Sequence, residues 1–275
     1  MTTVVAGWPK LPGDEWTDTL ETFHLWIQIV GKIRMVQTPW LNHSWSVPLY
    51  VTASGLATSL VPYGREGFEL EFDLHAGELV LRTTTGERRV VELRPRTVAD
   101  FYGAVMGTMA SVGMPVEIRR VPSEIAEAVP FDEDTKHSAF DGDHVRALWA
   151  ALLQASRVMT RFRAGFRGKA SPVHFFWGSF DLAVTRFSGR AAPPHGGGIP
   201  NFPLDVAREA YSHEVTSVGF WPGNRAAPTP IFYAYAYPSP AGFADAAVSP
   251  PEASWLAELG EFVIPYDAIA GADST

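Results

Sequence analysis

The stretch GKASPVHFFWGSFDLAVTRFSGR, residues 168–190, combines histidine, aspartate and arginine with aromatic residues that favour burial. The pair Gly178-Ser179 separates two runs rich in aromatic and β-branched residues, Pro172–Trp177 and Phe180–Phe187. Such a pair suits a two-residue hairpin turn that needs glycine first. The alternative interpretation is one strand with a bulge at Gly178. We favour the hairpin.

Alternate residues of a strand point to the same face, so the hairpin predicts the composition of each face. It pairs Phe176 with Asp181 and His174 with Ala183, and it gathers on one face His174, Phe176, Asp181, Ala183 and Thr185. His174 and Asp181 are then diagonal neighbours within side-chain reach. The other face carries Arg186 among apolar side chains, where a cation needs an anionic partner.

Composition limits the classes of function. The 275 residues include 30 acidic and 22 basic side chains, so the net charge is −8 and a nucleic-acid or anionic-membrane partner is not expected. The chain has no cysteine, which leaves histidine and carboxylate as its strong metal ligands. No apolar run approaches the roughly 20 residues that span a bilayer. The start, MTTVVAGWPK, lacks the features of a secretory signal, so we expect a cytoplasmic protein.

Periodicity predicts an α+β fold in which antiparallel sheets pack with helices. Helices are expected at residues 17–37, 97–113, 142–166 and 251–259. Strands are expected at residues 47–52, 56–61, 68–74, 78–83, 88–93, 116–119, 172–187 (the hairpin), 211–221, 231–237 and 261–265. We treat residues 1–275 as a single domain. The element order is similar over residues 16–119 and 142–265, so two similar halves are an open hypothesis without a residue-level repeat.

Two further segments belong to the predicted pocket. The connection 190–209 contains Gly196–Gly198 and several prolines, and loops of this length often act as lids. We expect it to roof a pocket whose floor is the hairpin. Alternation also places Tyr233, Tyr235 and Tyr237 on one face, which suggests a half-polar cavity wall, although a structural stripe is the simpler interpretation. No nucleotide cofactor is indicated, because no strand leads into the glycine triplet and no helix follows it at once.

Histidines suggest the first candidate site, a divalent transition metal bound by His43, His174 and His213. Glu214, Asp181 or His24 would add a ligand or orient one. No HExxH or HxH spacing supports this set. The competing interpretation makes these histidines hydrogen-bonded members of an aromatic core.

The second candidate is acid–base chemistry without a metal, in which Asp181 orients His174 and Glu214 contributes a carboxylate. The third is an anion pocket built from Arg186 and Arg190, with Lys32 or Arg34 as a further cation. Trp177 and Trp45 would line this pocket. The competing interpretation pairs these arginines internally with Asp181 or Glu214.

Five strings distributed along the chain resemble an uncharacterised bacterial family, a domain of unknown function: TFHLWIQIVGKIR, PWLNHSWSVPLYVT, SPVHFFWGSFDLAVTRFSGR, AYSHEVTSVGFWPG and FYAYAYPSP. The resemblance covers nearly the whole chain and brings no activity with it. It implies that His24, His43, His174 and His213 belong to the family's pattern.

These observations favour an enzyme that acts on a small polar or anionic molecule in an enclosed aromatic pocket, with or without a histidine-bound metal. The alternative is a non-catalytic sensor or carrier that binds a small molecule through arginines. A purely structural role predicts no cavity and internal partners for His174 and Arg186.

Overall fold

The computed structural model describes residues 7–272, and over that range the chain forms five α-helices and two antiparallel sheets. The helices are α1 (Thr17–Gln37), α2 (Val98–Ser111), α3 (Gly142–Ala164), α4 (Leu204–Ala210) and α5 (Tyr266–Ala270). The first sheet contains β1 (Tyr50–Val51), β2 (Gly55–Ala57), β3 (Val61–Tyr63), β4 (Glu66–Asp73), β5 (Glu78–Thr83) and β6 (Arg88–Glu92). The second contains β7 (His174–Phe176), β8 (Asp181–Ala191), β9 (His213–Trp221), β10 (Ile231–Tyr237), β11 (Ser254–Leu256) and β12 (Glu261–Pro265). The predicted α+β class is confirmed.

Helix α1 is the central element of the core. Its middle turns are buried on all sides, polar side chains included, as expected for a helix enclosed by other elements. It packs against α2, α3 and β3. The ring of Trp177 lies so close to Gly31 that a Cβ atom there would be 2.4 Å from the ring. This glycine therefore sets the distance between α1 and the hairpin turn.

The first sheet has the strand order β1-β2-β4-β5-β6, and β3 also pairs with β4. Helix α2 covers it beside β6, and the hydroxyl of Thr97 caps that helix by accepting from the Asp100 N–H. Gly113 ends the helix segment in a left-handed conformation with a φ of 76°, in agreement with its predicted role as a stop. The predicted strand at residues 116–119 is wrong, because that segment forms no ladder.

The second sheet has the order β11-β12-β10-β9-β8-β7 and confirms the predicted hairpin register, with His174 opposite Ala183 and Phe176 opposite Asp181. The turn itself differs from the prediction. It spans residues 177–180, and the left-handed residue is Phe180, with a φ of 63°, rather than Gly178. Gly178 has another reason to lack a side chain, because a Cβ atom there would lie 2.0 Å from Glu124 Oε1.

Pairing across the second sheet defines two faces. The inner face packs against the helices and consists of side chains such as Leu182, Val184, Phe220 and Phe232. The outer face carries the alternate residues Asp181, Ala183, Thr185, Ser217, Gly219, Tyr233, Tyr235 and Glu261. Polar groups are therefore concentrated on the outer face.

The two sheets meet where β1 approaches β7. Leu49 and Phe175 exchange two backbone hydrogen bonds of 2.9 Å. One cluster of buried side chains includes residues from Leu11 to Tyr266. The single-domain assignment and the hypothesis of two similar halves stay predictions. Residues 1–6 and 273–275 of the predicted domain lie outside the described residues.

The C-terminal region differs most from the prediction. The expected helix at 251–259 is wrong, since this segment contains β11, which forms a hairpin with β12. Helix α5 follows β12 directly, and Tyr266 in that helix donates a hydrogen bond of 2.6 Å to the Pro9 carbonyl. Of the helices between residues 7 and 272, none is long and apolar enough to cross a membrane.

Candidate functional site

The outer face of the second sheet carries a group of polar side chains around Asp181, the first residue of β8. The carboxylate of Asp181 accepts hydrogen bonds from the hydroxyl groups of Ser179 and Tyr233. Burial raises the pKa of Asp181, while these two donors act in the opposite direction because they stabilise its charged form. Asp181 is 7% exposed, so this carboxyl group is held almost entirely inside the protein.

Two further carboxyl groups lie near enough to Asp181 for its charge to act on them. Glu124 belongs to the connector between α2 and α3, where it adopts a left-handed conformation with a φ of 61°, and Glu261 begins β12. Burial, followed by the charge of Asp181, raises the pKa of each glutamate to about 7. Across residues 7–272, none of the three carboxyl groups forms an ion pair with a lysine, arginine or histidine.

Tyrosines complete this group, which we call the carboxyl–tyrosine cluster: Glu124, Asp181, Glu261, Tyr211, Tyr233 and Tyr235. Tyr211 and Tyr235 share a hydrogen bond of 3.0 Å between their hydroxyl groups. The rings of Tyr233 and Tyr235 stack with centroids 6.1 Å apart. Gly219 makes room for the ring of Tyr233, because a Cβ atom there would lie 2.2 Å from it. The predicted tyrosine face of β10 therefore borders the three carboxyl groups.

The connection 190–209 covers part of this face. His195 stacks on Tyr211 with ring centroids 4.8 Å apart, and Tyr237 donates a hydrogen bond of 2.9 Å to the Pro193 carbonyl. Asn201 donates one of 2.6 Å to the carbonyl of Ile125, next to Glu124. The segment thus joins the tyrosines to the connector that holds Glu124. Its function as a lid stays a prediction.

The three histidines predicted to bind a metal do not converge. The rings of His43 and His213 are neighbours, with centroids 5.8 Å apart. The two nitrogens of His43 are already engaged, Nδ1 with the Ala210 carbonyl at 3.2 Å and Nε2 with the Lys169 ammonium at 3.0 Å. His174 lies on the other side of Trp45. In the described part of the chain no three histidine, aspartate or glutamate side chains are placed to hold a metal ion, so the proposed ligand set is corrected.

His174 is fully buried and does not pair with Asp181. Its ring is surrounded by the edges or faces of Trp45, Tyr50 and Phe176, with centroids 5.5–5.9 Å away. Neither ring nitrogen has a hydrogen-bond partner among the described residues. The predicted His174–Asp181 acid–base pair is therefore wrong, because Asp181 is occupied by Ser179 and Tyr233.

The predicted anion pocket is also not assembled. Arg190 and Glu214 form an ion pair of 2.5 Å, so each neutralises the other at the end of the sheet. Arg186 lies on the inner face, stacks 3.3 Å from the ring centre of Phe162 and donates to the carbonyl of that residue. The sequence left open whether the arginines bind an anionic ligand or pair with carboxylates of the protein. For Arg190 the second interpretation holds, because it pairs with Glu214.

The tryptophans expected to line a ligand contact protein groups instead. Trp177 is buried against α1 and donates a hydrogen bond of 2.9 Å to the Val47 carbonyl. Trp45 lies between the rings of His43 and His174, with the Lys169 ammonium 5.1 Å from its centre.

Glu124 and Glu261 were missed by the sequence-based reasoning. Glu124 lies in a segment without periodicity, and Glu261 starts a short strand whose neighbour was expected to be a helix. The alternating tyrosines of β10 and the hairpin register, which placed Asp181, were the signals that indicated the correct face.

Comparisons with curated proteins and with solved structures find no match to this chain. A family model does match, over residues 8–275. The chain therefore belongs to the Family of unknown function (DUF5996).

Proposed function

We propose that this chain is an enzyme that binds a small molecule bearing an amine or guanidinium group at the carboxyl–tyrosine cluster and exchanges a proton with it. One observation carries the proposal: Asp181 and Glu261 lie on the outer face of the second sheet, Glu124 lies against the turn at Gly178 that precedes Asp181, and none of the three carboxyl groups has a cationic partner within residues 7–272. Buried negative charge is costly unless a counter-charge compensates it, and a bound cation would provide that charge.

The positively charged ligand that we propose differs from the small polar or anionic molecule expected from the sequence. Arginine would have recognised an anion, but Arg190 is paired with Glu214. Lys32 of α1 is a buried cation, and its ammonium donates a hydrogen bond of 2.9 Å to the hydroxyl of Ser123. Burial lowers the pKa of Lys32 to about 8. This cation contacts the connector through Ser123 and leaves the carboxyl groups free for a ligand.

The tyrosines support recognition of a cation as well. The stacked rings of Tyr233 and Tyr235 offer π faces, to which ammonium and guanidinium groups are attracted. Their hydroxyl groups fix the neighbouring carboxylate and hydroxyl, which keeps the site preorganised.

Proton exchange is supported by the titration of the two glutamates. Groups with a pKa near the working pH make the most effective general acids and bases, and burial and the charge of Asp181 raise the pKa of Glu124 and Glu261 to about 7. A bound cation stabilises the ionised carboxylates, so it lowers both values. Binding of a cation near pH 7 should therefore release protons.

We test the proposal with benzylamine and its neutral counterpart benzyl alcohol. Tyrosine ¹³C NMR signals of Tyr233 and Tyr235 should shift and saturate with benzylamine and not with benzyl alcohol. Calorimetry in buffers of different ionisation enthalpy should show proton release at pH 7 that disappears at pH 9. In the Glu124→Gln/Glu261→Gln variant, benzylamine affinity should fall at least tenfold and the proton release should vanish.

A matched control removes the same charge elsewhere, at the exposed Glu117 and Glu133. Glu117→Gln/Glu133→Gln should bind benzylamine like the unmodified chain. An equal response to both probes, no response to either, or unchanged binding in the Glu124/Glu261 variant would refute the proposal.

The second candidate is binding without chemistry, as in a sensor or carrier. Asp181 favours it, because both of its oxygens already accept hydroxyl donors and such a fixed carboxylate suits recognition. Proton release accompanies cation binding by an enzyme and by a carrier alike, so only turnover of an amine substrate would favour the enzyme over the carrier.

A further inference from the structure

Strand β6 forms a free edge of the first sheet. Of the strands between residues 7 and 272, only β5 pairs with it. The Glu87 carbonyl accepts from the Thr83 N–H at 3.0 Å, and the Leu93 N–H donates to the Gly77 carbonyl at 2.8 Å. The odd-numbered residues of this segment therefore bond to β5, and the even-numbered ones direct their backbone groups away from it. These outward residues are Arg88, Val90 and Glu92.

The backbone groups at this edge are almost all unused. Within the described part of the chain, the outward N–H and C=O groups of Val90 and Glu92 have no hydrogen-bond partner. The Arg88 carbonyl accepts a hydrogen bond of 3.0 Å from the guanidinium of Arg89. An edge with free backbone groups is a template for pairing with a strand of another chain.

Opposite charges flank Val90 on this edge. Its side chain is 42% exposed, and Arg88 and Glu92 lie two residues to either side of it. The register with β5 places Arg88 opposite Arg82, and it places Glu92 opposite Glu78. Like charges directly opposite each other destabilise a sheet. The ion pair of 2.8 Å between Arg88 and Glu78 is partly exposed to solvent and contributes little. A strand that brought opposite charges to the other side of β6 would therefore be favourable.

A second copy of the same strand brings those charges in one antiparallel register. With a two-fold axis at Val90, the two valines face each other, and Arg88 of each copy lies opposite Glu92 of the other. Moving the axis by one residue places Glu92 opposite Gly86 or Val90 instead, so only the central register pairs both charges. A two-fold contact uses the same surface on both copies and leaves no free β6 edge for further chains.

An open groove beside this edge gives the second strand access. Its volume is about 440 Å³, and Val90, Val91 and Glu92 form one wall. Helix α2 forms the other wall with small residues, among them Gly107, where an added Cβ atom would have no heavy atom within 4 Å. Stable interfaces bury about 800 Å² on each partner, so the exposed face of α2 has to contribute beside a strand of five residues.

Two other arginines lie close to this edge, and each has a carboxylate of its own. Glu87 forms an ion pair of 2.6 Å with Arg89, and the charge of Glu92 acts on Arg96. A second copy therefore meets no uncompensated positive charge in the groove.

We propose that two copies of this chain form a two-fold dimer in which their β6 strands pair antiparallel about Val90 and join the two first sheets into one. Backbone hydrogen bonds form along the shared edge, and an Arg88–Glu92 pair forms at each end of it. None of these residues belongs to the carboxyl–tyrosine cluster, so this proposal and the proposed function can fail independently.

Charge reversal tests the register. Sedimentation velocity of the unmodified chain at micromolar concentration and physiological salt should show a dimer. Arg88→Glu and Glu92→Arg each place like charges opposite each other at both ends of the shared edge, so each should raise the dimer dissociation constant at least tenfold. A mixture of the two variants should form a heterodimer, because the acidic positions of one then face the basic positions of the other. Both substitutions also remove a like-charged pair with β5, so the fold should be retained.

The control Arg157→Glu makes the same charge change at an exposed residue of α3 and should leave the dimer unchanged. Val90→Pro removes an N–H that the ladder with β5 does not use, and it should abolish the dimer. An unmodified chain that stays monomeric, a dimer that persists in Arg88→Glu and Val90→Pro, or a mixture of folded charge variants that stays monomeric would overturn the proposal.

Hydrogen exchange on the unmodified chain does not depend on how the variants fold. The backbone N–H groups of Arg88, Val90 and Glu92 should exchange more slowly as the protein concentration rises and the dimer forms. Exchange at these three positions that is the same in monomer and dimer would show that another surface holds the copies together, and it would overturn the proposal.

Discussion

His174 is 0% exposed, and within residues 7–272 neither of its ring nitrogens has a hydrogen-bond partner. A buried polar group without a partner costs about 1–3 kcal/mol. Aromatic side chains surround the imidazole, and a phenyl ring has a similar flat shape. At this position the histidine therefore destabilises the fold relative to an apolar ring.

We predict that His174→Phe leaves the free energy of unfolding at pH 7 unchanged or raises it by about 1–2 kcal/mol. Burial lowers the pKa of His174 to about 4, below the ordinary value of 6.5. A base whose folded-state pKa is lowered destabilises the fold as the pH drops from about 6.5 towards 4, because the unfolded chain binds the proton more readily. Phenylalanine does not titrate, so the variant does not lose stability in this way. At pH 5 its free energy of unfolding should exceed that of the unmodified chain by about 2 kcal/mol.

Urea unfolding at pH 7 and pH 5 measures both effects, and His75→Phe serves as a control at an exposed histidine. A loss above about 2 kcal/mol at pH 7 would contradict the prediction, since it would mean that the imidazole makes a hydrogen bond that the fold needs.

Substitutions at two helical glycines, Gly31 in α1 and Gly103 in α2, would show where a close approach of neighbouring elements requires glycine. Gly31 faces the ring of Trp177, which is held by a hydrogen bond to Val47, so an added Cβ atom would overlap the ring at 2.4 Å. Gly103 in α2 is exposed, and a Cβ atom added there would have no heavy atom of another described segment within 4 Å. Alanine is favoured over glycine in helices by about 1 kcal/mol, so propensity alone predicts that both substitutions stabilise.

We predict opposite outcomes for these two substitutions. Gly103→Ala should raise the free energy of unfolding by about 0.5–1 kcal/mol. Gly31→Ala should lower it by about 1–3 kcal/mol, because the overlap with Trp177 forces a shift in a packed core. Denaturant unfolding of the two variants decides the matter. Stabilisation by Gly31→Ala would show that the turn 177–180 can move away from α1 at little cost.

Sequence patterns predicted the elements whose signals are local. Helix α1, strands β10 and β12 and the register of the hairpin follow from periodicity and turn residues. Strand β11 was predicted as a helix, because Glu252–Leu259 has good helix formers and only pairing with β12 overrides them. Glu124 could not be assigned to the site, since its position depends on a tertiary contact with Gly178. The face of Asp181 was predictable, whereas its partners were not.

At the scale of the whole molecule, the histidines and the glutamates whose pKa values are shifted by burial have opposite effects on stability in acid. The pKa values of His24 and His174 are lowered to about 4 by burial, so the stability of their neutral forms is lost as the pH falls from about 6.5 to 4. Those of Glu124 and Glu261 are raised to about 7, so the stability of their neutral forms is lost as the pH rises from about 4.5 to 7. Between pH 4.5 and 6.5 the two pairs offset each other.

Replacing the two glutamates should leave the pH dependence of stability that the two histidines cause. We predict that Glu124→Gln/Glu261→Gln is more stable than the unmodified chain by about 6 kcal/mol at pH 8, where each of the two glutamates is ionised at a cost of about 3 kcal/mol. At pH 4.5 the two proteins should have nearly equal stability. The free energy of unfolding of the variant should fall steadily between pH 6.5 and 4.5, while that of the unmodified chain changes much less.

Urea unfolding at half-unit pH steps gives both curves, with Glu117→Gln/Glu133→Gln as the control for a change in net charge. A variant that is less stable at pH 8 would mean that the carboxylates have protein partners, and a cation would then not be needed to compensate them. A variant that is more stable and no longer binds benzylamine would show that the glutamates lower the stability of the fold and are needed for cation binding. Residues of a binding site are often retained although they reduce stability.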